Sequence, residues 1–186
     1  MNALPAPRER RRSVLPTLET TGVADTDALG SGGVFLRPGD WLYGCGAVRV
    51  STLLGSCISL VLWSPRRRVG AICHCLLPQR PRAQPGSAHD GRYGADAGQW
   101  MRQRLAAAGC HWSEMQASLA GGAGTGDTDI GAANIAWAQQ WAAERGLAFA
   151  QQDVGGRVVR RLTFNLADGA LTIAHGGRIG PSRDTR

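Results

Sequence analysis

A chain of 186 residues can bury one sizeable core but is short for two. Its formal charge of +7 is carried entirely by arginine and is spread out: residues 1–32 are net neutral, and 33–175 hold 14 arginines against nine acids. No zinc-finger spacing, RNA-binding aromatic signature or basic helix accompanies that charge, which argues against nucleic acid and makes an acidic protein surface the better-matched partner.

The segment after Arg12 is broken by Pro16, Glu19 and Asp25 before any apolar region forms, unlike a secretory leader. No apolar run approaches the ~18 residues of a membrane span. Five cysteines, Cys45, Cys57, Cys73, Cys75 and Cys110, lack framework-like spacing and suit free thiols in a reducing compartment. A cytoplasmic protein without membrane insertion is expected.

In chain order, residues 1–32 mix Pro, Arg, Thr and Gly without periodicity and read as a disordered or loosely attached arm. The folded part begins near "VFLRPGDW". "AVRVSTLLGSC" and "ISLVLW" read as two strands, or as one strand bent at Gly55; "SPRRR" is the turn that leads into the strand "VGAICHCLLP". Residues 79–92 are rich in turn formers and read as a surface loop. From Tyr93, Trp100, Met101 and Leu105 recur at helical spacing. "MQASLAGGAG" gives a strand and a glycine turn. "NIAWAQQWAAERG" repeats the helical period through Ile135, Ala138 and Ala142, and Gly146 stops it. Three strands close the chain, the last two joined by a turn at Asp168-Gly169. The sum is a mixed α/β domain of largely antiparallel strands with two main helices, spanning 33–175, followed by a tail at 176–186.

Cys57 stands at the start of a strand, behind Gly55 and Ser56. It is either a small core residue or a nucleophile, which needs a base and backbone donors aimed at the developing oxyanion. If 58–63 and 69–77 form a hairpin, Cys57 lies opposite residues around 74–76, within reach of His74, and a nearby imidazole would lower the thiol's pKa. A zinc site built on Cys73, His74 and Cys75 is disfavoured, because alternation puts His74 on the face opposite both thiols. For a hydroxyl that orients His74, Ser51 is the first choice, since in a regular strand it shares the face of Cys57. Thr52 is the second, and would require a bulge at Gly55. Gly121-Gly122 and Gly155-Gly156 read as tight turns near the site, Asn134 as a local hydrogen-bonding residue, and Trp137 and Trp141 as packing.

Six ordered blocks, "STLLGSCISLVLW", "GAICHCLLP", "RYGADAGQWM", "LAGGAG", "IGAANIAWA" and "DVGGRVVRRLTFNLADGAL", together resemble the CheD family of chemoreceptor glutamine deamidases over about 33–175. The resemblance implies a three-layer α/β sandwich with Cys57 as nucleophile and His74 as its partner. The assisting hydroxyl, usually threonine in the family, falls on Ser51, with Thr52 beside it. The implied reaction converts glutamine side chains on the cytoplasmic helices of methyl-accepting receptors to glutamate, with no metal or organic cofactor. The alternative is a binding module that acts mainly by docking to a CheC-type phosphatase.

Overall fold

The structure, a computed structural model, describes residues 19–21, 33–81, 88–124 and 130–179. The strands are β1 (Glu19–Thr21), β2 (Gly33–Phe35), β3 (Trp41–Cys45), β4 (Arg49–Leu54), β5 (Ile58–Ser64), β6 (Val69–Cys73), β7 (Gln116–Gly121), β8 (Phe149–Val154), β9 (Val158–Asn165) and β10 (Leu171–Arg178). The helices are α1 (Gly94–Ala107) and α2 (Ile130–Ala143). A six-stranded sheet runs in the order β1-β3-β6-β5-β7-β8 and a four-stranded sheet in the order β10-β9-β4-β2. Of the strand pairs among the described residues, only β2/β4 and β7/β8 are parallel. The mixed, largely antiparallel α/β class expected from the sequence is the class observed.

Alternation along the strands sorts the core into layers. On β5 and β6, Ile58, Leu60, Leu62, Val69, Ala71 and Cys73 pack with residues of α1 and α2. Val61, Trp63 and Ile72 point the other way, into a second cluster with Val50, Leu54, Leu162 and Phe164 of the smaller sheet. The order is therefore helices, large sheet, small sheet. Because β5 is covered on both faces, all seven of its residues are buried. Trp137 and Trp141, one turn apart on α2, press against Gly94 and Gly98 on α1, where an added Cβ would lie 2.6 Å and 2.7 Å from the indoles. Absent side chains at those two positions let the helices close, and both tryptophans are packing residues, as their spacing suggested.

The β5–β6 hairpin turns at 64–68, with Arg68 N–H donating to the Ser64 carbonyl at 2.7 Å. The β9–β10 turn falls at Asp168-Gly169, where the Asp168 carboxylate accepts from Ala170 N–H at 2.9 Å. Within the segment read as an arm, Glu19–Thr21 forms β1 and pairs with β3; the remainder of 1–32 lies outside the described residues. β10 continues to Arg178, into the segment read as a tail.

Candidate active site

Between β4 and β5 the chain leaves the small sheet and enters the large one, and Gly55-Ser56-Cys57 is the crossing. Each carbonyl of this tripeptide is held from outside. Gly55 accepts from Ala123 N–H at 2.8 Å and Cys57 from Gly122 N–H at 2.8 Å. Ser56 accepts from the Asn134 carboxamide at 3.1 Å. Gly121 and Gly122 have φ of +108° and +67°, and a Cβ on Gly121 would stand 2.2 Å from the Cys57 carbonyl oxygen. Glycine is needed there both for the backbone angle and for the close approach. With its peptide planes fixed in this way, the turn presents the Cys57 N–H to its own sulfur. An N–H in that position can also meet an oxyanion formed on a carbon bonded to the sulfur.

His74 follows β6. Ile58 and Cys75 exchange backbone hydrogen bonds of 3.1 Å and 2.9 Å, so Ser59 stands directly across from His74 and Leu76 across from Cys57. Cys57 and His74 are thus diagonal neighbours on one face, the face toward the small sheet, at a separation that side chains can bridge. Thr52 meets His74 there: its Oγ1 lies 2.7 Å from Nδ1 and donates to the Leu36 carbonyl at 2.9 Å. Thr52 is fully buried and His74 is 2 % exposed. Asn134 also donates to the Leu76 carbonyl at 2.9 Å, so one carboxamide ties the cysteine turn to the chain just past the histidine.

Burial sets the electrostatics. It pushes the His74 imidazole down from 6.5 to about 4, against a smaller upward pull from the Leu36 carbonyl. It pushes the Cys57 thiol up, against its own N–H. Both groups are therefore neutral at rest near pH 7, which differs from the lowered thiol pKa expected from sequence. A neutral imidazole has no charge with which to hold a thiolate, and desolvation penalises the ion in either group.

Of the four residues singled out from sequence, the structure brings Cys57, His74 and Thr52 to one face and sends Ser51 to the other. Counting alternation from Ser51 to Cys57 assumes one continuous strand. The crossing at Gly55–Cys57 moves the chain between sheets and resets the parity, so Thr52 turns inward without a bulge within β4. Cys73 and Cys75 sit with sulfurs 3.3 Å apart in the helix-side core, away from His74. Two buried polar residues at the site were not assigned a role there from sequence. Asn134 was read as making local bonds, yet its partners are 58 and 78 residues away. An asparagine at helical spacing with Ala138 and Trp141, inside a helix where it is a poor former, was the signal. Ser59, across from His74, has a buried hydroxyl without a partner among the described residues, and a serine among apolar residues carries little signal.

Residues 76–175 match the family model described as CheD chemotactic sensory transduction, more than half of the chain. The chain belongs to the CheD family. A probable chemoreceptor glutamine deamidase CheD 3 of Dechloromonas aromatica is 44% identical over 147 residues, covering 76% of this chain and 86% of that protein. A probable chemoreceptor glutamine deamidase CheD 1 of Chromobacterium violaceum is 37% identical, covering 75% and 76%. The corresponding protein of Methanococcus maripaludis is 30% identical, covering 70% and 86%. The CheD model match begins after Cys57 and His74, so it is the geometry that argues for this CheD-family site. Among the described residues, no helix is long and apolar enough to cross a membrane.

Proposed function

We propose that this CheD-family protein hydrolyses glutamine side-chain amides of methyl-accepting chemoreceptors to glutamate, with Cys57 as nucleophile, His74 as general base and acid, and Thr52 as the residue that orients the imidazole. The observation that carries the reading is the hydrogen bond of 2.7 Å between Thr52 Oγ1 and His74 Nδ1, on the face that Cys57 shares. The single hydroxyl proton of Thr52 goes to the Leu36 carbonyl. Oγ1 must then accept from Nδ1–H, which leaves Nε2 unprotonated and basic.

The chemistry follows from two neutral partners. As Cys57 Sγ bonds to the amide carbon, its proton passes to His74 Nε2 and the carbonyl π electrons move onto oxygen, to which the Cys57 N–H donates a hydrogen bond. The oxyanion collapses, the C–N bond breaks, and Nε2–H protonates the leaving nitrogen to ammonia. Nε2 then takes a proton from water as its oxygen attacks the thioester. Collapse of the second oxyanion expels the thiolate, which recovers a proton from the imidazolium, and the carboxylic acid formed gives its proton to solvent, leaving glutamate.

In this reading the catalytic unit is 33–175 and works in the cytoplasm, the substrate surface is the receptor's cytoplasmic helical region, and a CheC-type phosphatase is a further docking partner. The test is incubation with a purified receptor cytoplasmic fragment, reading ammonia release and Gln-to-Glu conversion by peptide mass spectrometry. Conversion by wild type and none by Cys57→Ala is the expected result. Equal conversion by both would overturn the assignment.

A further inference from the structure

Ser51, which the hydrogen-bond geometry leaves out of the catalytic group, lies on the outer face of the small sheet and lines a cavity there. The cavity has a volume of about 450 Å³ and is lined by Arg49, Ser51, Arg161, Thr163, Asn165, Ala170 and Thr172. Strand register explains the grouping. Ser51 on β4 stands opposite Thr163 on β9, and Thr163 opposite Thr172 on β10, which sets three hydroxyls in a row across the sheet. Arg49, opposite Asn165, and Arg161, opposite Leu53, flank that row from diagonal corners.

Two features mark the cavity as a site. Ser51 is 3 % exposed, and among the described residues its Oγ has no hydrogen-bond partner, so a buried hydroxyl is left unsatisfied at the floor. Such groups are uncommon in native proteins and are costly unless something fills them. Arg49 and Arg161 are both exposed, and among the described residues no carboxylate pairs with either; the lining itself contains none. Elsewhere on the molecule arginines find acids: Arg80 with Asp96, Arg92 with Asp90, Arg160 with Asp153.

We propose that this cavity binds a phosphate-type oxyanion, free or as the phosphoryl group of a small metabolite. Guanidinium forks approach from two corners while hydroxyls donate from the floor, so the donors surround the centre from several directions. That arrangement suits a tetrahedral group better than a planar carboxylate, which one fork can satisfy. The volume exceeds that of inorganic phosphate and falls within the range of small-molecule pockets, leaving room for a phosphorylated metabolite. Thr52 and Ser51 are adjacent on β4 and face opposite sides, so the cavity and the catalytic group are separate sites on a shared strand.

The test titrates inorganic phosphate into the full chain by calorimetry or NMR at constant ionic strength, with chloride as the control anion. Saturable binding that weakens about tenfold or more in Arg49→Ala and in Arg161→Ala, and several-fold in Ser51→Ala, is the expected result, a loss on the scale of one charge-assisted hydrogen bond. Thermal unfolding of each variant confirms its fold, and all three variants should retain deamidation in phosphate-free buffer. Absence of binding beyond that of chloride, or binding indifferent to both arginines, would overturn the proposal. So would a glutamate-rich peptide that binds through Arg49 and Arg161 when phosphate does not, since that would identify a carboxylate surface instead.

Discussion

The hydroxyl of Thr52 lies between the Leu36 carbonyl at 2.9 Å, to which it donates its one proton, and His74 Nδ1 at 2.7 Å. In the proposed mechanism Oγ1 then accepts from Nδ1–H, which leaves Nε2 as the basic nitrogen and makes the threonine a positioning residue.

Thr52→Ala therefore removes the partner of Nδ1–H and frees both the ring and its tautomer. Turnover should fall by about 10²-fold, at the lower end of what a positioned acid–base group contributes. Thr52→Ser, which keeps the oxygen, should recover most of it. Ser51→Ala, on the opposite face of β4, should stay within a few-fold of wild type. Steady-state kcat on a receptor fragment ranks the three, and a larger loss for Ser51→Ala than for Thr52→Ala would mean that the inward face of β4 has been misassigned.

Because burial raises the Cys57 thiol and the neighbouring imidazole is neutral, the free enzyme holds little thiolate near pH 7. Alkylation of Cys57 by iodoacetamide should be slow at neutral pH and should climb about tenfold per pH unit through the ordinary thiol range without levelling there. Mass spectrometry at Cys57 as a function of pH gives the curve. A plateau already reached below pH 7 would indicate a thiolate–imidazolium pair and would contradict attack assisted by a general base.

Asn134 reaches two chain segments that would otherwise be free to part, at the Ser56 and Leu76 carbonyls. Asn134→Ala should lower stability by about 2 kcal/mol, on the order of 1 kcal/mol for each lost hydrogen bond. It should also lower kcat more than it raises KM, because the turn that aims Cys57 loses its tie to the strand end behind His74. Denaturant unfolding and kinetics on the same preparation separate the two effects. Loss of stability with unchanged kcat would reduce Asn134 to a packing residue.

Much of this arrangement could be read from the chain, for physical reasons that also explain where the reading stopped. Periods and punctuation are local: the 64–68 turn, the Asp168-Gly169 turn and the helical spacing of Trp100, Met101 and Leu105 each depend on neighbours within a few residues. The pairing of Cys57 with the 74–76 region followed from one hairpin, which is still local. Whether Ser51 or Thr52 turns inward depends on which sheet each strand joins, and β4 pairs with β9, over a hundred residues away. The role of Asn134 likewise depends on α2 packing over a turn from another part of the chain. No periodicity within a short window carries either relationship.

His74 also links the site to acid stability. In the unfolded chain an imidazole takes up its proton near 6.5, whereas burial holds the folded one to about 4. Between those values the unfolded state binds more protons, so the native state loses stability as pH falls and recovers it as pH rises above the unfolded value. The span is worth about 3 kcal/mol at 1.36 kcal/mol per unit. Asp90, held down by Arg92, and Asp153, held down by His175 and Arg160 in spite of its burial, lose their contributions at lower pH, below the ordinary carboxylate value of 3.8. Glu114, lowered from 4.5 chiefly by the His111 backbone N–H, and Asp40, raised by burial and so opposite in sign, act only toward the acid end, which leaves the upper part of the window from 6.5 downward to His74. Urea unfolding of wild type across it should show the decline, and His74→Gln, which cannot take up a proton, should lack that part of the slope even if it starts from a lower stability. Parallel slopes for the two proteins would mean that the folded imidazole titrates normally, and the neutral resting base in the proposed mechanism would have to be abandoned.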